Sequence, residues 1–277
     1  MLKKYFQNGS NSLIKAFYSL IFAFYKKKCY ICNIMIERLH AIVLRVVKYN
    51  DRMQIADVLT REHGRLSFAI PEGSAASRRK SARTMWRPLA LLEFDADLKQ
   101  KASLPRGKDV RVYATYEDLP YNPMKAMVAL FLDELLNGAI WGEQPDIPLY
   151  DFIEQSLILL DKIDKGMPNF HVAFAVQLLK FLGIVPAADR YPWQRYYDLR
   201  AAEYTDSLPP HENRLADEEA LAFEQVMRMN YRNMSRFRFT RKQRQRILEV
   251  INDYYMLHVP DFRRMKSLAV FAEALDE

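Results

Sequence analysis

The sequence predicts an α+β fold in which a small β-module precedes a helical body, and three observations carry that prediction. Between Met35 and Glu117 the chain runs in short segments that alternate apolar and polar residues, as half-buried strands do. Beyond Asn122 the apolar residues recur every three or four positions, as on amphipathic helices. The 277 residues are 50% hydrophobic and 27% charged, a composition that supports a substantial core and excludes a disordered or fibrous chain.

Residues 1–34 stand apart, with six Lys and no acid. Their apolar run Ala16 to Tyr25 is about ten residues, against the roughly 20 that span a bilayer. Lys26 to Lys28 follow that run rather than precede it, which is not the order of a signal peptide. An interfacial anchor, a packing helix, or translated sequence upstream of a native start at Met35 are the readings left. The last is favoured, because Met35-Ile36-Glu37-Arg38 opens the first well-patterned strand. Cys29 and Cys32 have C-x-x-C spacing, but no second pair exists to complete a zinc site, so no metal or other cofactor is expected. Such sparse cysteine fits a reducing cytoplasm.

Five strands are expected in 35–117. Leu39, Ile42, Leu44 and Val46 mark the first, which ends at Tyr49-Asn50-Asp51; Gln54 to Thr60 and Arg65 to Ile70 form the next two. Gly64 supplies positive φ to the turn between them. Leu89 to Leu98 and Asp109 to Tyr116 complete the set. Five short strands in about 80 residues fit a small barrel, of which the OB-fold is the commonest that handles single-stranded nucleic acid. An SH3-like barrel is the structural alternative.

An all-helical domain is expected over 118–277. Asn122 caps and Pro123 opens a helix running to Trp141. Further helices are read over 150–163, from Pro168-Asn169 to a stop at Gly183, over 216–230, from a Thr240/Gln243 capping box onward, and over 265–275. Residues 189–210 read as a loop-rich connector.

The formal charge of +7 hides a segregation. Residues 35–115 carry 16 Lys/Arg against nine acids, whereas 116–277 carry 19 against 25. At the centre of the β-module lies a basic loop, Glu72 to Arg83, with Arg78, Arg79, Lys80 and Arg83. The acidic body has one basic segment, Arg228 to Arg246, with no carboxylate and with Tyr231, Phe237 and Phe239 interleaved. Cations gather phosphates, and rings beside them offer bases a stacking surface. Signals for chemistry are weak. The five His are scattered, no phosphate-cradling Gly motif occurs, and Asp95/Asp97 and Asp161/Asp164 read as solvent faces.

Several stretches, taken in order, resemble the bacterial recombination mediator family RecO. They are Ile42 to Arg45, Thr60 to Leu66, the Gly73 to Ser81 loop, Leu89 to Phe94, the helix end Leu178 to Pro186, and Tyr254 to His258 with Lys266 to Leu268. The resemblance covers 35–277. It implies an OB-fold joined to a helical domain, binding of single- and double-stranded DNA, strand annealing, association with RecR, and remodelling of single-strand-binding protein so that RecA loads. Many RecO-like chains carry two C-x-x-C pairs after the Leu-Gly-x-x-Pro motif; 187–213 has none, so Trp193, Tyr196, Tyr197 and Leu199 are expected to pack that region apolarly.

The leading reading is therefore a cytoplasmic, non-enzymatic DNA-binding mediator. In it Arg78, Arg79, Lys80 and Arg83 neutralise phosphates, Arg45, Arg52, Arg61 and Arg65 extend the track across the barrel, and Arg236, Arg238, Arg241, Lys242 and Arg244 add a second footprint. The acidic tail of single-strand-binding protein is expected on an apolar cleft of the body, with helices 122–141 and 169–182 nominated. Rival readings are a protein-protein adaptor without a nucleic-acid role and a membrane-surface protein anchored by residues 13–28.

Overall fold

A computed structural model describes residues 36–71, 84–98, 104–187, 189–191 and 193–274. The reading of residues 1–34, with Cys29 and Cys32, and the basic loop lie outside the described residues.

Five antiparallel strands form the β-module: β1 (Ile36–Asn50), β2 (Met53–Thr60), β3 (Gly64–Pro71), β4 (Leu91–Asp97) and β5 (Lys108–Ala114). Their order, β3-β2-β1-β4-β5, is OB-like. The sheet is not closed into a barrel: β3 and β5 remain edges, and a single bond, Ala69 N–H to the Pro105 carbonyl at 2.9 Å, crosses between their segments among the described residues. Phe68, Trp86 and Phe94 fill the interior, with Phe68 and Phe94 edge to face at 4.9 Å.

The helices are α1 (Pro123–Ala139), α2 (Ile147–Lys162), α3 (Phe170–Phe181) after a 3-10 turn at Met167–Asn169, α4 (Asp217–Met227), α5 (Arg241–His258) and α6 (Ser267–Ala274). The Asn122 carboxamide oxygen accepts from the N–H groups of Met124 and Lys125, and the Thr240/Gln243 capping box forms in both directions. Helix α2 begins a turn earlier than expected because Asp146 caps Leu149 N–H at 2.9 Å and Pro148 occupies the first turn. Two carboxylate oxygens of Glu134, in α1, accept the Lys266 and Ser267 N–H groups at 2.7 and 2.8 Å and so start α6.

The body is not all helical. Residues 189–210, read as a loop-rich connector, contain β6 (Tyr196–Asp198) and β7 (Glu203–Thr205), which with β8 (Arg214–Ala216) form a small antiparallel sheet ordered β7-β6-β8. Tyr197, Leu199, Tyr204 and Leu215 from this region are buried in the main core. Trp193, expected to join them, is instead exposed.

The apolar run Ala41-Ile42-Val43-Leu44 explains how the two parts join. Alternate residues of a strand face opposite ways, so Leu39, Ala41 and Val43 enter the sheet's own core while Ile42 and Leu44 pack into the core of the helical body. Leu59, Leu89 and Leu91 join them there. Polar contacts close the seam: Asn137 Nδ2 donates to the Leu44 carbonyl at 2.6 Å, and the Tyr113 and Tyr150 hydroxyls meet at 3.1 Å. Asp161, expected on a solvent face, is buried and accepts the N–H groups of Glu117, Asp118 and Leu119 at 2.8–3.0 Å. Burial would raise this carboxyl, but those three donors and Lys125 hold it below its usual range.

Asp133 shows the opposite balance. Burial first, then the neighbouring Glu134 carboxylate, lifts it to about 7. An acid whose folded-state pKa is raised costs stability as pH climbs from its unfolded value near 4 through about 7. Asp133→Asn is therefore expected to stabilise the protein by about 2 kcal/mol at pH 8, after discounting for partial solvation, and by little at pH 4.5. Urea titrations of both proteins at the two pH values check this; equal differences would refute it.

Candidate nucleic-acid interface

The cations named from the sequence fall into three groups. Arg78, Arg79, Lys80 and Arg83 lie outside the described residues, between Pro71 at the end of β3 and Thr84.

A second group is engaged by protein. Arg61 makes an ion pair with Asp151 of α2, Nε to Oδ1 at 2.9 Å. Arg65 donates through Nη1 to the carbonyls of Asn137 and Ile140 at 3.1 and 2.7 Å, and its guanidinium lies 5.3 Å from the Trp141 ring centre. With its side chain 15% exposed, Arg65 completes the C-terminal end of α1. Both residues thus link the β-module to the helices, Arg65 mostly buried and Arg61 with its side chain 44% exposed. Arg45 is also paired, at 2.7 Å to Asp57. Burial would raise the Asp57 carboxyl, but bonds from Ser67 and Arg45 and the charge of Arg65 pull it below the usual range. Arg244, in α5, reaches Asn169 Oδ1 and the Phe239 carbonyl, and burial lowers its pKa.

The third group is available. Arg52 is exposed at the β1–β2 turn, where its N–H bonds Asn50 Oδ1 at 2.8 Å. Beside it stand Lys48, in an exposed pair with Asp51 at 2.6 Å, and Tyr49, 65% exposed. Exposed pairs of this kind contribute little, so Lys48 remains able to exchange its partner for a phosphate. Neither Lys48 nor Tyr49 was singled out from the sequence; their signal is a Lys-Tyr-Asn-Asp-Arg run at a hairpin tip. In the basic segment Arg232, Arg236, Arg238 and Lys242 are exposed and form no ion pair among the described residues. Arg241 is half-buried. Arg246, by contrast, is bound to Glu219 through Nε and Nη2 at 2.7 and 3.2 Å.

The aromatic residues interleaved in this segment pack against the protein itself. Tyr231 lies against Phe170 with centroids 4.9 Å apart and donates its hydroxyl to Ser156 Oγ at 2.8 Å; Phe237 and Phe239 pack on the core. Their apolar faces hold the segment down while the arginines between them point outward.

Between α4 and α5 lies a groove of about 360 Å³ lined by Phe223, Val226, Phe239, Ile247 and Val250, and by the charged side chains of Glu218, Glu219, Lys242 and Arg246. Of the two helices nominated for an acidic tail, α3 is almost wholly buried and offers no such face. Among the described residues no cluster of three or more His, Cys, Asp or Glu is placed to hold a metal, and no helix is long and apolar enough to cross a membrane. His171 is a core residue, stacked on Phe271 at 4.7 Å and pushed down to about 3, chiefly by burial and also by Arg244.

Comparison with known proteins identifies the family. Residues 35–116 match the family model for the Recombination protein O N terminal region, and 121–269 match that for the Recombination protein O C terminal region. The DNA repair protein RecO of Bacteroides fragilis is 38% identical over 245 residues, covering 87% of this chain and 100% of the relative. Its counterpart in Phocaeicola vulgatus is 38% identical over 241 residues, 86% of this chain and 99% of the relative. That of Porphyromonas gingivalis is 31% identical over 241 residues, 85% and 98% of the two chains. With models covering both the OB-like sheet and the helical body, the chain belongs to the RecO family of DNA repair proteins.

Proposed function

We propose that the protein is a recombination mediator of the cytoplasm that binds single- and double-stranded DNA, anneals complementary strands, and acts with RecR to load RecA where single-strand-binding protein coats the DNA. The observation that carries this reading is the pair of exposed, cationic surfaces: the β1–β2 hairpin tip of an OB-like sheet, and the Arg232 to Lys242 segment of the body. Two cationic surfaces on one chain suit the meeting of two strands, because each neutralises phosphates without reading sequence. Arg78, Arg79, Lys80 and Arg83 add a third cationic element in the chain between β3 and β4. The groove between α4 and α5 offers the acidic tail of single-strand-binding protein apolar walls and Lys242, with Glu218 and the Arg246-bound Glu219 also on its lining. An adaptor that used its charge only for solubility would have no need to leave Arg232, Arg236 and Arg238 exposed without an ion pair among the described residues.

The test is annealing of complementary strands coated with single-strand-binding protein. The full chain is expected to accelerate annealing, and a variant with Arg78, Arg79, Lys80 and Arg83 changed to Ala to slow it at least tenfold, about the loss of 1.4 kcal/mol. Annealing at the spontaneous rate in the presence of the unaltered chain would overturn the reading in favour of the adaptor.

A further inference from the structure

The connector between α3 and α4 holds two large rings in water. Tyr191 and Trp193 stack with centroids 4.8 Å apart and planes 7° from parallel, and they are 59% and 63% exposed. Aromatic side chains of this size ordinarily bury most of their area. Here each covers one face of the other, and more than half of each residue remains in solvent. The turn that presents them is well braced. Tyr191 N–H donates to Gln194 Oε1 at 2.8 Å, Gln194 N–H returns to the Tyr191 carbonyl at 3.0 Å, and Gln194 Nε2 reaches the Tyr204 carbonyl in β7 at 2.7 Å.

The same turn is joined to the basic segment. Arg190 donates through Nη1 to the Gln194 carbonyl at 2.8 Å and through Nε to Glu224 of α4 at 3.2 Å. The second oxygen of Glu224 accepts Arg228 Nη2 at 3.0 Å, and Arg228 opens the run that leads to Arg232, Arg236 and Arg238. A single carboxylate therefore ties an exposed aromatic pair to a cationic track.

We infer that Tyr191 and Trp193 form a stacking platform for unpaired bases of a single strand whose phosphates follow the Arg228 to Lys242 segment. The inference rests on the DNA-binding reading given above and adds to it the part of the ligand that the platform takes. Every base has a π-face, so stacking on Trp193 is indifferent to sequence. A duplex keeps those faces covered by neighbouring pairs, so the platform distinguishes single from double strands. The rings once expected to do this, Tyr231, Phe237 and Phe239, are turned inward; the connector supplies the exposed ones.

The experiment measures equilibrium binding of the full chain to a labelled thymine oligonucleotide, to an abasic strand of equal length, and to a duplex, with Trp193→Ala, the double change Tyr191→Ala with Trp193→Ala, and Trp193→Phe. Loss of one or two stacked bases is expected to weaken single-strand binding by the double variant about 5- to 100-fold. Duplex affinity and the salt slope are expected to stay within twofold of the unaltered protein, Trp193→Phe to retain most of the affinity, and the abasic strand to bind both proteins equally. Single-strand affinity unchanged in the double variant, or single-strand and duplex affinity falling together, would overturn the platform while leaving DNA binding intact. Failure of the unaltered chain to bind any of the three would overturn the DNA-binding reading and the platform with it. Both side chains are exposed, so the variants are expected to keep the parent's circular dichroism.

Discussion

Gly64→Ala is expected to lower the stability of the whole protein by about 3 kcal/mol, roughly 6–12 °C in Tm for a chain of this size. Gly64 turns the chain from β2 into β3 with φ near +71°, where any side chain costs about 1 kcal/mol. The larger share comes from space. A Cβ there would lie 2.4 Å from the Gln144 carbonyl oxygen and 3.0 Å from its nitrogen, both backbone atoms that no rotamer change moves aside. The neighbouring Arg65 N–H bonds the Gly142 carbonyl at 3.0 Å, so the 142–144 loop is held against the turn. Gly183, also at φ +71° but with nothing within 4 Å of a built Cβ, separates the two costs. Thermal unfolding of Gly64→Ala, Gly64→Asn and Gly183→Ala should show both changes at Gly64 well below Gly183→Ala. Recovery of stability by Asn, which tolerates positive φ, would refute the account by close approach.

A variant with Arg232, Arg236, Arg238 and Lys242 changed to Ala is expected to flatten the dependence of log affinity on log salt by about 3 units for single strands and slightly more for duplex DNA. Each lost phosphate contact releases fewer counterions, about 0.7 per contact on a single strand and 0.9 on B-DNA. These four side chains form no ion pair among the described residues, so Tm should hardly change. Arg65→Ala should do the reverse, weakening the protein by uncovering the end of α1 while leaving the slope nearly unchanged. Fluorescence anisotropy titrations between 50 and 300 mM salt decide between the two patterns. An unaltered slope in the fourfold variant would remove the segment from the DNA contact.

The parts of the fold that were legible are those whose signals are local. Period-two runs marked all five strands of the β-module, and Asn122-Pro123 and Thr240 with Gln243 marked helix starts, because a cap acts on N–H groups two or three residues away. The strands β6, β7 and β8 were not legible, since three residues carry no measurable period and their pairing partners lie up to 20 residues away. Asp161 was misread for a related reason: the N–H groups it caps lie more than 40 residues earlier in the chain. The candidate interface shows the same division. That arginines cluster is a property of sequence; that Asp57, Asp151 and Glu219 neutralise some of them is a property of the closed fold. Aromatic rings gave the least guidance, because Tyr231 and Trp193 differ little as residues and are placed on opposite sides of the protein surface, one within and one without.

The setting of β1 governs how load passes through the molecule. Its hairpin tip stands in solvent, while Ile42 and Leu44, a few residues along the same strand, are embedded among the helices. A load applied at the tip therefore acts on a beam whose other end is clamped. Linked parts of a chain swivel by default unless a large apolar contact joins them, and here Ile42, Leu44, Leu59, Leu89 and Leu91 supply such a contact between the sheet and the helical body. On the function proposed above, a strand bound at the tip would thus be anchored through β1 to the helical body that also carries the groove.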